Sequence, residues 1–210
     1  IDLCIFVEGS LSYSASIPIG ARHISNDIAV GLRVSLDSAE KIKLYLSNNA
    51  QQVQESLKKK DYSIFTAAKV GIPEILPDVN PKEVIDGIIG PRLEEIYSYI
   101  REEIVKSGYE KNIPAGLVIT GGGALTIGMI DMGRRIIRLP IRVGVPERAT
   151  GLVDEVMNPM YAATLGLIYY GSKSAIEGGD SFKDFNSVLK NFSMGDIMSR
   201  VQKMLKQFLP

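Results

Sequence analysis

Residues Ile17–Lys43 read IPIGARHISNDIAVGLRVSLDSAEKIK, and this stretch decides how the chain is interpreted. It predicts a β-strand that ends near Pro18, because proline is tolerated at strand ends, followed by two consecutive helices. Far downstream, the sequence TGGGA at residues 120–124 follows the apolar run Ala115–Ile119. Three glycines after a strand predict a turn whose backbone a ligand can approach closely, since little side-chain bulk intervenes. Together the two stretches indicate a nucleotide cleft. The alternative for the glycines is a purely structural turn, since tight strand-to-helix turns also use glycine.

The amino-acid composition excludes several classes of function. Lys plus Arg and Asp plus Glu both number 24, so the net charge is zero and no global field favours nucleic acid. The single cysteine, Cys4, excludes a disulfide framework and is typical of a reducing compartment. One cysteine and one histidine cannot form the usual zinc site, and we expect no metal ligands or catalytic triad from them. No apolar run approaches the roughly 20 residues of a membrane span, which predicts a soluble cytoplasmic protein.

The first residues predict a strand over Leu3–Val7 and a second over Leu11–Ile19. The chain opens within the first strand and without a methionine, so we expect it to be the later part of a longer protein. Asn26 is predicted to cap a short helix that ends at Leu32.

The next helix is predicted to start at Asp37, with Glu40 in the capping-box position. Glu40 and Lys43 then lie three residues apart on one helix face. This pattern is compatible with a capping carboxylate beside a solvated lysine, and also with a ligand site. His23, ahead of a helix start, is interpreted as a local hydrogen-bonding group, since no nucleophile motif accompanies it.

The middle of the chain contains one strong helix signal. Asn80-Pro81 predicts a helix start, because proline at the first helical position loses no hydrogen bond. Apolar residues then recur at helical spacing as far as Gly108, and Pro91 within the run predicts a kink. The preceding stretch, Gln51–Asn80, is polar and then rich in glycine and proline, which predicts irregular or hairpin structure.

Beyond the glycine turn the pattern is that of an α/β domain. Ile127–Ile137 predicts a helix, Ile141–Val143 a strand, and Pro159–Tyr170 a helix rich in small residues. A linker is predicted over residues 172–192.

The last segment, residues 193–210, predicts a basic amphipathic helix of the kind that lies in a membrane interface. The alternative is a helix that packs on its own core or on a partner. One face would carry the apolar residues Ile197, Met198, Val201, Met204, Leu205, Phe208 and Leu209. The opposite face would carry the cations Arg200, Lys203 and Lys206, together with the polar residues Ser199, Gln202 and Gln207.

These motifs together resemble the actin-like ATPase superfamily and, within it, the FtsA family of bacterial cell-division proteins. The glycine turn is followed, as in FtsA-like sequences, by a helix and the strand Pro140-Ile141-Arg142-Val143-Gly144. The later motif Asn158-Pro159-Met160-Tyr161-Ala162 also matches. The resemblance covers nearly the whole chain and is weakest over residues 51–79.

The resemblance implies an α/β, actin-like (ribonuclease-H-like) fold, of which this chain is the second half. Residues 1–24 and 111–171 would form the ribonuclease-H-like subdomain. Residues 25–110 would form a smaller, inserted α+β subdomain that covers the nucleotide.

The resemblance also implies site residues. ATP would contact the turn residues Gly121, Gly122, Gly123 and Ala124, and the helix residues Glu40 and Lys43 would close over adenine and ribose. A magnesium ion would accompany ATP, at a site that this chain does not complete. Asp2 is the last trace of a phosphate-binding turn, so the chain alone is expected to bind nucleotide weakly.

Arg92 follows Pro91, in the helix region with which FtsA-like proteins hold the C-terminal tail of the tubulin-like ring protein FtsZ. A solvated arginine is the alternative for that position.

The function that the resemblance implies is ATP-dependent polymerisation on the cytoplasmic face of the membrane at midcell. Such a protein tethers the FtsZ ring at the septum and is at most a slow ATPase. The implied partners are the FtsZ tail, further copies of the chain, anionic lipid and other division proteins, but no nucleic acid. A pilus-assembly actin homologue and a sugar kinase of the same superfamily are the alternatives.

Overall fold

The computed structural model describes residues 1–63, 65–75, 80–146 and 157–177. The chain divides into two compact units, Ile1–Ala162 and Ala163–Pro210. The described part of the first unit is a mixed α/β structure with one hydrophobic core, as expected. The second unit is described only through the helix at its start. Residues 172–177 of the predicted linker belong to that helix, and the rest of the linker lies outside the described residues, as does the whole of the predicted membrane helix.

Both predicted N-terminal strands are confirmed as an antiparallel hairpin. Strand β1 (Asp2–Val7) pairs with β2 (Ser10–Ser16), and the register shifts between Ile5 and Phe6, as in a β-bulge. The hairpin is tied to the long helix Gly90–Ser107, because the Tyr13 hydroxyl donates to Glu103 of that helix at 2.9 Å.

Helix α1 (Ala21–Leu32) begins earlier than predicted, and Asn26 lies inside it rather than at its cap. Gly20 is the cap residue, and His23 Nδ1 accepts a hydrogen bond from the Gly20 amide at 3.2 Å. The earlier start brings Ile24, which is fully buried, into the helical face that packs on the core. The interpretation of His23 as a local hydrogen-bonding group is therefore confirmed.

Helix α2 (Leu36–Asn48) is capped by Ser35, not by Asp37 as predicted. The Ser35 hydroxyl accepts from the Ser38 amide at 3.3 Å, and Asp37 lies in the first turn, where the positive end of the helix favours a carboxylate. Glu40 therefore takes no part in a capping box, which leaves its side chain available for contacts outside the helix.

The prediction of irregular structure over Gln51–Asn80 is wrong in part. This stretch contains helix α3 (Ala50–Lys59) and the short helix α4 (Ala67–Val70). Helix α3 has few apolar residues, but Val53 is fully buried in the core and Leu57, one turn later, packs against it. Tertiary burial of a narrow stripe therefore stabilises a helix whose composition does not favour one.

The strong helix signal at Asn80 is confirmed. Helix α5 (Pro81–Val84) starts with the Asn80 side chain accepting from the Lys82 amide at 2.8 Å. It passes through a π-helical turn, Ile85–Ile89, into helix α6 (Gly90–Ser107), which ends at Gly108. The wide π-turn lies immediately before Pro91, where the proline cannot donate to the preceding turn.

The α/β pattern after residue 115 is also confirmed. Strand β3 (Leu117–Ile119) pairs in parallel with β4 (Ile141–Val143). A 3₁₀-helix at Gly122–Leu125 and helix α7 (Met129–Ile137) connect the two strands. A further 3₁₀ turn, Pro159–Tyr161, leads into helix α8 (Ala162–Glu177).

The core of the first unit is built mainly from helices α1, α2 and α6, with contributions from β4 and from the segment before α7. Its fully buried members include Ile24, Ile28, Ile42, Leu46, Ile89 and Tyr97. No helix in the described ranges is long and apolar enough to cross a membrane.

Candidate functional site

The glycine turn directly follows β3, where the sequence predicts it. Gly121 has φ 87°, a conformation that favours glycine, and its amide donates to the Pro159 carbonyl at 3.0 Å. A Cβ added at Gly123 would lie 3.0 Å from the Cβ of Ala21, at the start of α1. Glycine is therefore required at residue 121 for backbone conformation and favoured at residue 123 for close packing.

Glu40 and Lys43 form an ion pair on one face of α2, so the alternative of a capping carboxylate beside a solvated lysine is wrong. Lys43 Nζ lies 2.7 Å from Glu40 Oε2. The Lys43 side chain is 8% exposed and the Glu40 side chain 44%. The buried lysine is thus held in place, whereas the carboxylate keeps a face in solvent.

Ser25 on α1 completes this cluster. Its hydroxyl donates to Glu40 Oε2 and accepts from Lys43 Nζ at 3.0 Å. Burial acts to raise the pKa of Glu40, but the hydrogen bonds from Lys43 and Ser25 outweigh it, so the pKa of this carboxyl lies below its usual value. Glu40 is therefore a carboxylate at neutral pH and accepts hydrogen bonds.

Ala21 brings the two predicted halves of the site together. Its carbonyl lies 3.4 Å from Lys43 Nζ, and its methyl group packs against the position of Gly123. Helix α2 makes a second contact just beyond the turn, where the Ser47 hydroxyl accepts from the Ile127 amide at 3.1 Å. The glycine turn and the Glu40–Lys43 pair thus border the same end of α1.

A cavity of about 530 Å³ adjoins this point. Consecutive residues of β1 line one side, and the unbroken run Asn112–Thr120, which contains β3, lines another. Alternate residues of a strand point to opposite faces, so unbroken runs show that strand edges border the cavity. Ala21 and Gly123 also line it, which gives the glycine turn an open side.

Arg92 on α6 is not a solvated arginine. Its Nε and Nη2 donate to the two carboxylate oxygens of Asp27 on α1 at 2.5 and 2.8 Å, and its Nη1 donates to Glu95. The hydrogen bond with Asp27 raises the pKa of Arg92 above its usual value. The Arg92 side chain is 25% exposed, so part of it remains in contact with solvent.

Sequence reasoning missed Ser25, Ala21 and Asp27. All three lie on α1. Ser25 bonds to Glu40, 15 residues away along the chain, and Asp27 bonds to Arg92, 65 residues away. The sequence around them carries no motif for such contacts. Ser25 and Asp27 are two of several polar residues in α1, so their polarity alone did not single them out.

Metal ligands form no cluster in the described ranges, since no group of three His, Cys, Asp or Glu side chains lies close enough to hold an ion. The described residues therefore do not fit a magnesium site by themselves.

Comparison with known proteins identifies the family. The family model "Cell division protein FtsA" matches residues 1–166. The chain is 29% identical over 205 residues to cell division protein FtsA of Pseudomonas aeruginosa, covering 98% of this chain and 48% of that protein. It is 26% identical over 215 residues to FtsA of Neisseria meningitidis serogroup B, with the same coverage of 98% and 48%.

A third relative, FtsA of Escherichia coli K12, is 28% identical over 184 residues, or 84% of this chain and 42% of that protein. The chain thus spans about half the length of the curated relatives it matches. These matches favour FtsA over the pilus-assembly homologue and the sugar kinase. The chain belongs to the FtsA family of cell division proteins and shares the actin-like fold of that family.

Proposed function

We propose that this chain is the nucleotide-binding and partner-binding half of a cell-division protein that polymerises on the cytoplasmic face of the membrane and tethers the FtsZ ring at the septum. Membership of the FtsA family supports a role in division. One structural observation carries the nucleotide part of the proposal. The predicted glycine turn and the predicted Glu40–Lys43 pair adjoin the same residue, Ala21.

In this proposal the glycine turn lies against the adenosine of ATP. The turn presents backbone amide and carbonyl groups with little side-chain bulk, which lets a flat ligand approach closely. Gly122 has space beside it for a ligand atom, since a Cβ there would make only an ordinary contact, 3.8 Å from the Cβ of Met160. Residues 121–124 would therefore contribute shape and backbone hydrogen bonds rather than charge.

Glu40 and Lys43 would have different roles. The half-exposed Glu40 carboxylate is ionised and can accept a hydrogen bond from a ribose hydroxyl. Lys43 is buried, and its ammonium group donates to Glu40, Ser25 and Ala21. It would position Glu40 and the start of α1, and reach the ligand only by exchanging one of these hydrogen bonds.

ATP in this proposal is a conformational and polymerisation ligand, and hydrolysis is slow at most. Magnesium would enter with the nucleotide phosphates. The described residues offer no cluster of carboxylates that could hold it.

The partner part of the proposal rests on Arg92. Its guanidinium is held by Asp27 and its side chain is partly exposed, so in this proposal it offers a carboxylate of the FtsZ tail a charge-assisted hydrogen bond. Membrane attachment is assigned to residues 193–210, which lie outside the described residues, and it rests on their sequence pattern alone. Contacts with further copies and with other division proteins are part of the proposal on family grounds.

Photolabelling with 8-azido-ATP tests the nucleotide site, because covalent capture also reports weak binding. The proposal expects label in peptides that contain residues 40–43 or 121–124, and competition by unmodified ATP. Gly123→Val should reduce the labelling, because a branched side chain would project toward Ala21 where the turn must stay close. Gly87→Ala is the matched control, since a Cβ at residue 87 meets nothing within 4 Å. Label spread evenly over the chain, or unchanged in folded Gly123→Val, would contradict the proposal.

A further inference from the structure

Arg92 divides its hydrogen bonds between two helices. Nε and Nη2 donate to Asp27 of α1, at 2.5 and 2.8 Å, whereas Nη1 donates to Glu95, one turn further along α6. A guanidinium has five N–H groups, so these contacts engage three of them. The contact with Asp27 is a two-pronged fork, and the contact with Glu95 is a single hydrogen bond.

The charges at this site do not favour an acidic ligand as they stand. Two carboxylates face one guanidinium, which leaves the group with a net negative charge. A third carboxylate would be repelled unless it replaced one of the two already present. An acidic ligand must therefore replace either Asp27 or Glu95 at the Arg92 guanidinium.

The geometry points to Glu95. Its side chain is 43% exposed, and its contact is an i,i+3 pair within one helix, a class of ion pair that is weak because solvent and side-chain entropy oppose it. The Asp27 side chain is 29% exposed, and its two-pronged contact joins two helices. Such bidentate pairs with arginine are stronger and more directional.

We propose that Glu95 is an internal competitor for the acidic ligand of Arg92, and that Asp27 is the positioning residue that holds the guanidinium for it. In the free protein Glu95 occupies Nη1. An incoming carboxylate displaces Glu95 into solvent while Asp27 stays in place. This inference rests on the proposed contact between Arg92 and the FtsZ tail.

Titration of a fluorescein-labelled FtsZ tail peptide with the whole chain, followed by anisotropy, tests the inference. Glu95→Gln should tighten binding by about two- to fivefold, the range that corresponds to an exposed ion pair. Asp27→Asn should weaken binding by about tenfold, as for loss of a bidentate charged contact. Glu94→Gln is the control for charge, because Glu94 is an exposed neighbour that pairs with Arg135 rather than Arg92.

A second readout reports on the site without the peptide. The Arg92 Nε–H resonance in an ¹⁵N-edited NMR spectrum should persist in Glu95→Gln and disappear or shift strongly in Asp27→Asn. This spectrum also shows whether Asp27→Asn still folds.

The outcomes separate the inference from the proposed function. If wild type binds the peptide and Glu95→Gln binds no more tightly than Glu94→Gln, Glu95 is not a competitor, although the tail contact stands. If a folded Asp27→Asn binds more tightly than wild type, Asp27 is itself the competitor and the positioning role is wrong. If neither wild type nor Glu95→Gln binds, the proposed tail contact fails, and the competition fails with it.

Discussion

Ser25 and Asp27 lie two residues apart on α1 and hydrogen-bond to two different helices. Ser25 donates to Glu40 of α2, and Asp27 accepts from Arg92 of α6. One short stretch of α1 therefore contacts both the candidate nucleotide cluster and the candidate partner site. A small shift of this helix would move the hydrogen-bonding groups of both sites, since packed helices move as units.

Gly123→Ala should lower the free energy of unfolding slightly and Gly123→Val more, by about 1–3 kcal/mol, the usual cost of an overfilled site. The reason is the close approach of residue 123 to Ala21, where a Cβ would lie 3.0 Å from the alanine methyl. Urea unfolding followed by circular dichroism measures the change. Gly122→Ala is the control, because a Cβ there makes an ordinary 3.8 Å contact. Equal costs at residues 122 and 123 would show that the Ala21 contact does not restrict the turn.

Glu74→Gln should lower the free energy of unfolding at neutral pH and should make it vary less with pH in the acid range. The Glu74 carboxylate accepts from the Ser38 hydroxyl at 2.5 Å and the Ser35 amide at 2.9 Å, and these hydrogen bonds hold its pKa at about 2, below the ordinary value of 4.5. A depressed pKa stabilises the folded chain above pH 4.5, and this contribution is lost as the pH falls toward 2.

Urea midpoints of wild type and Glu74→Gln at several pH values check this prediction. The gap between the two proteins should be widest at neutral pH, should shrink below pH 4.5 and should close only as the pH reaches about 2. A gap that stays constant with pH would mean that the Glu74 carboxylate is not bound as the structure shows.

Tyr97→Phe should leave the free energy of unfolding unchanged or raise it by about 1 kcal/mol, because a buried polar group without a partner costs stability. The Tyr97 hydroxyl is buried and has no hydrogen-bond partner among the described residues. Burial raises the pKa of Tyr97 to about 12 from 10.0. Because the hydroxyl ionises more readily in the unfolded chain, stability falls as the pH rises from 10 to about 12, and Tyr97→Phe should lessen this alkaline loss.

Thermal unfolding of the two proteins, at neutral pH and near pH 11, measures both effects. Gly133→Ala serves as a contrast, since a Cβ there would come within 2.6 Å of the Tyr97 hydroxyl oxygen and should be clearly destabilising. A Tyr97→Phe protein that loses much stability at neutral pH would reveal a partner for the hydroxyl.

Phe208→Glu should abolish cosedimentation with vesicles of anionic phospholipid, because it places a charge on the predicted apolar face of residues 193–210. Gln207→Glu introduces the same charge on the predicted polar face and should reduce binding only modestly, by about 1 kcal/mol or less. Sedimentation at physiological salt compares the two. Equal losses would mean that net charge, rather than an amphipathic helix, governs attachment.

Local signals made some of the fold predictable from sequence. Asn80 and Pro81 provide the cap and the first position of a helix, and Gly108 provides a helix end. These signals are local, so the segment from α5 through α6 could be located. Strand β4 was predicted with its correct bounds, because it is a short apolar run between turn residues. The glycine turn was located in the same way, from the strand before it.

Long-range packing decided what the sequence did not reveal. Helix α3 depends on burial of Val53 against other helices, which a polar local composition does not indicate. Helix α1 starts at a glycine whose cap comes from His23, not from a usual capping side chain. The Arg92 contact with Asp27 spans 65 residues of sequence, so no spacing rule could predict it.

The central claim is that the glycine turn and the Glu40–Lys43 pair form a single nucleotide site. An NMR titration of the ¹⁵N-labelled chain with ATP tests it most directly, because chemical-shift changes report weak binding at each residue. If they form one site, the amides of residues 40–43 and 121–124 should shift together and follow one binding curve. Shifts confined to one of these segments, two distinct curves, or no shift at either segment at millimolar ATP would contradict it.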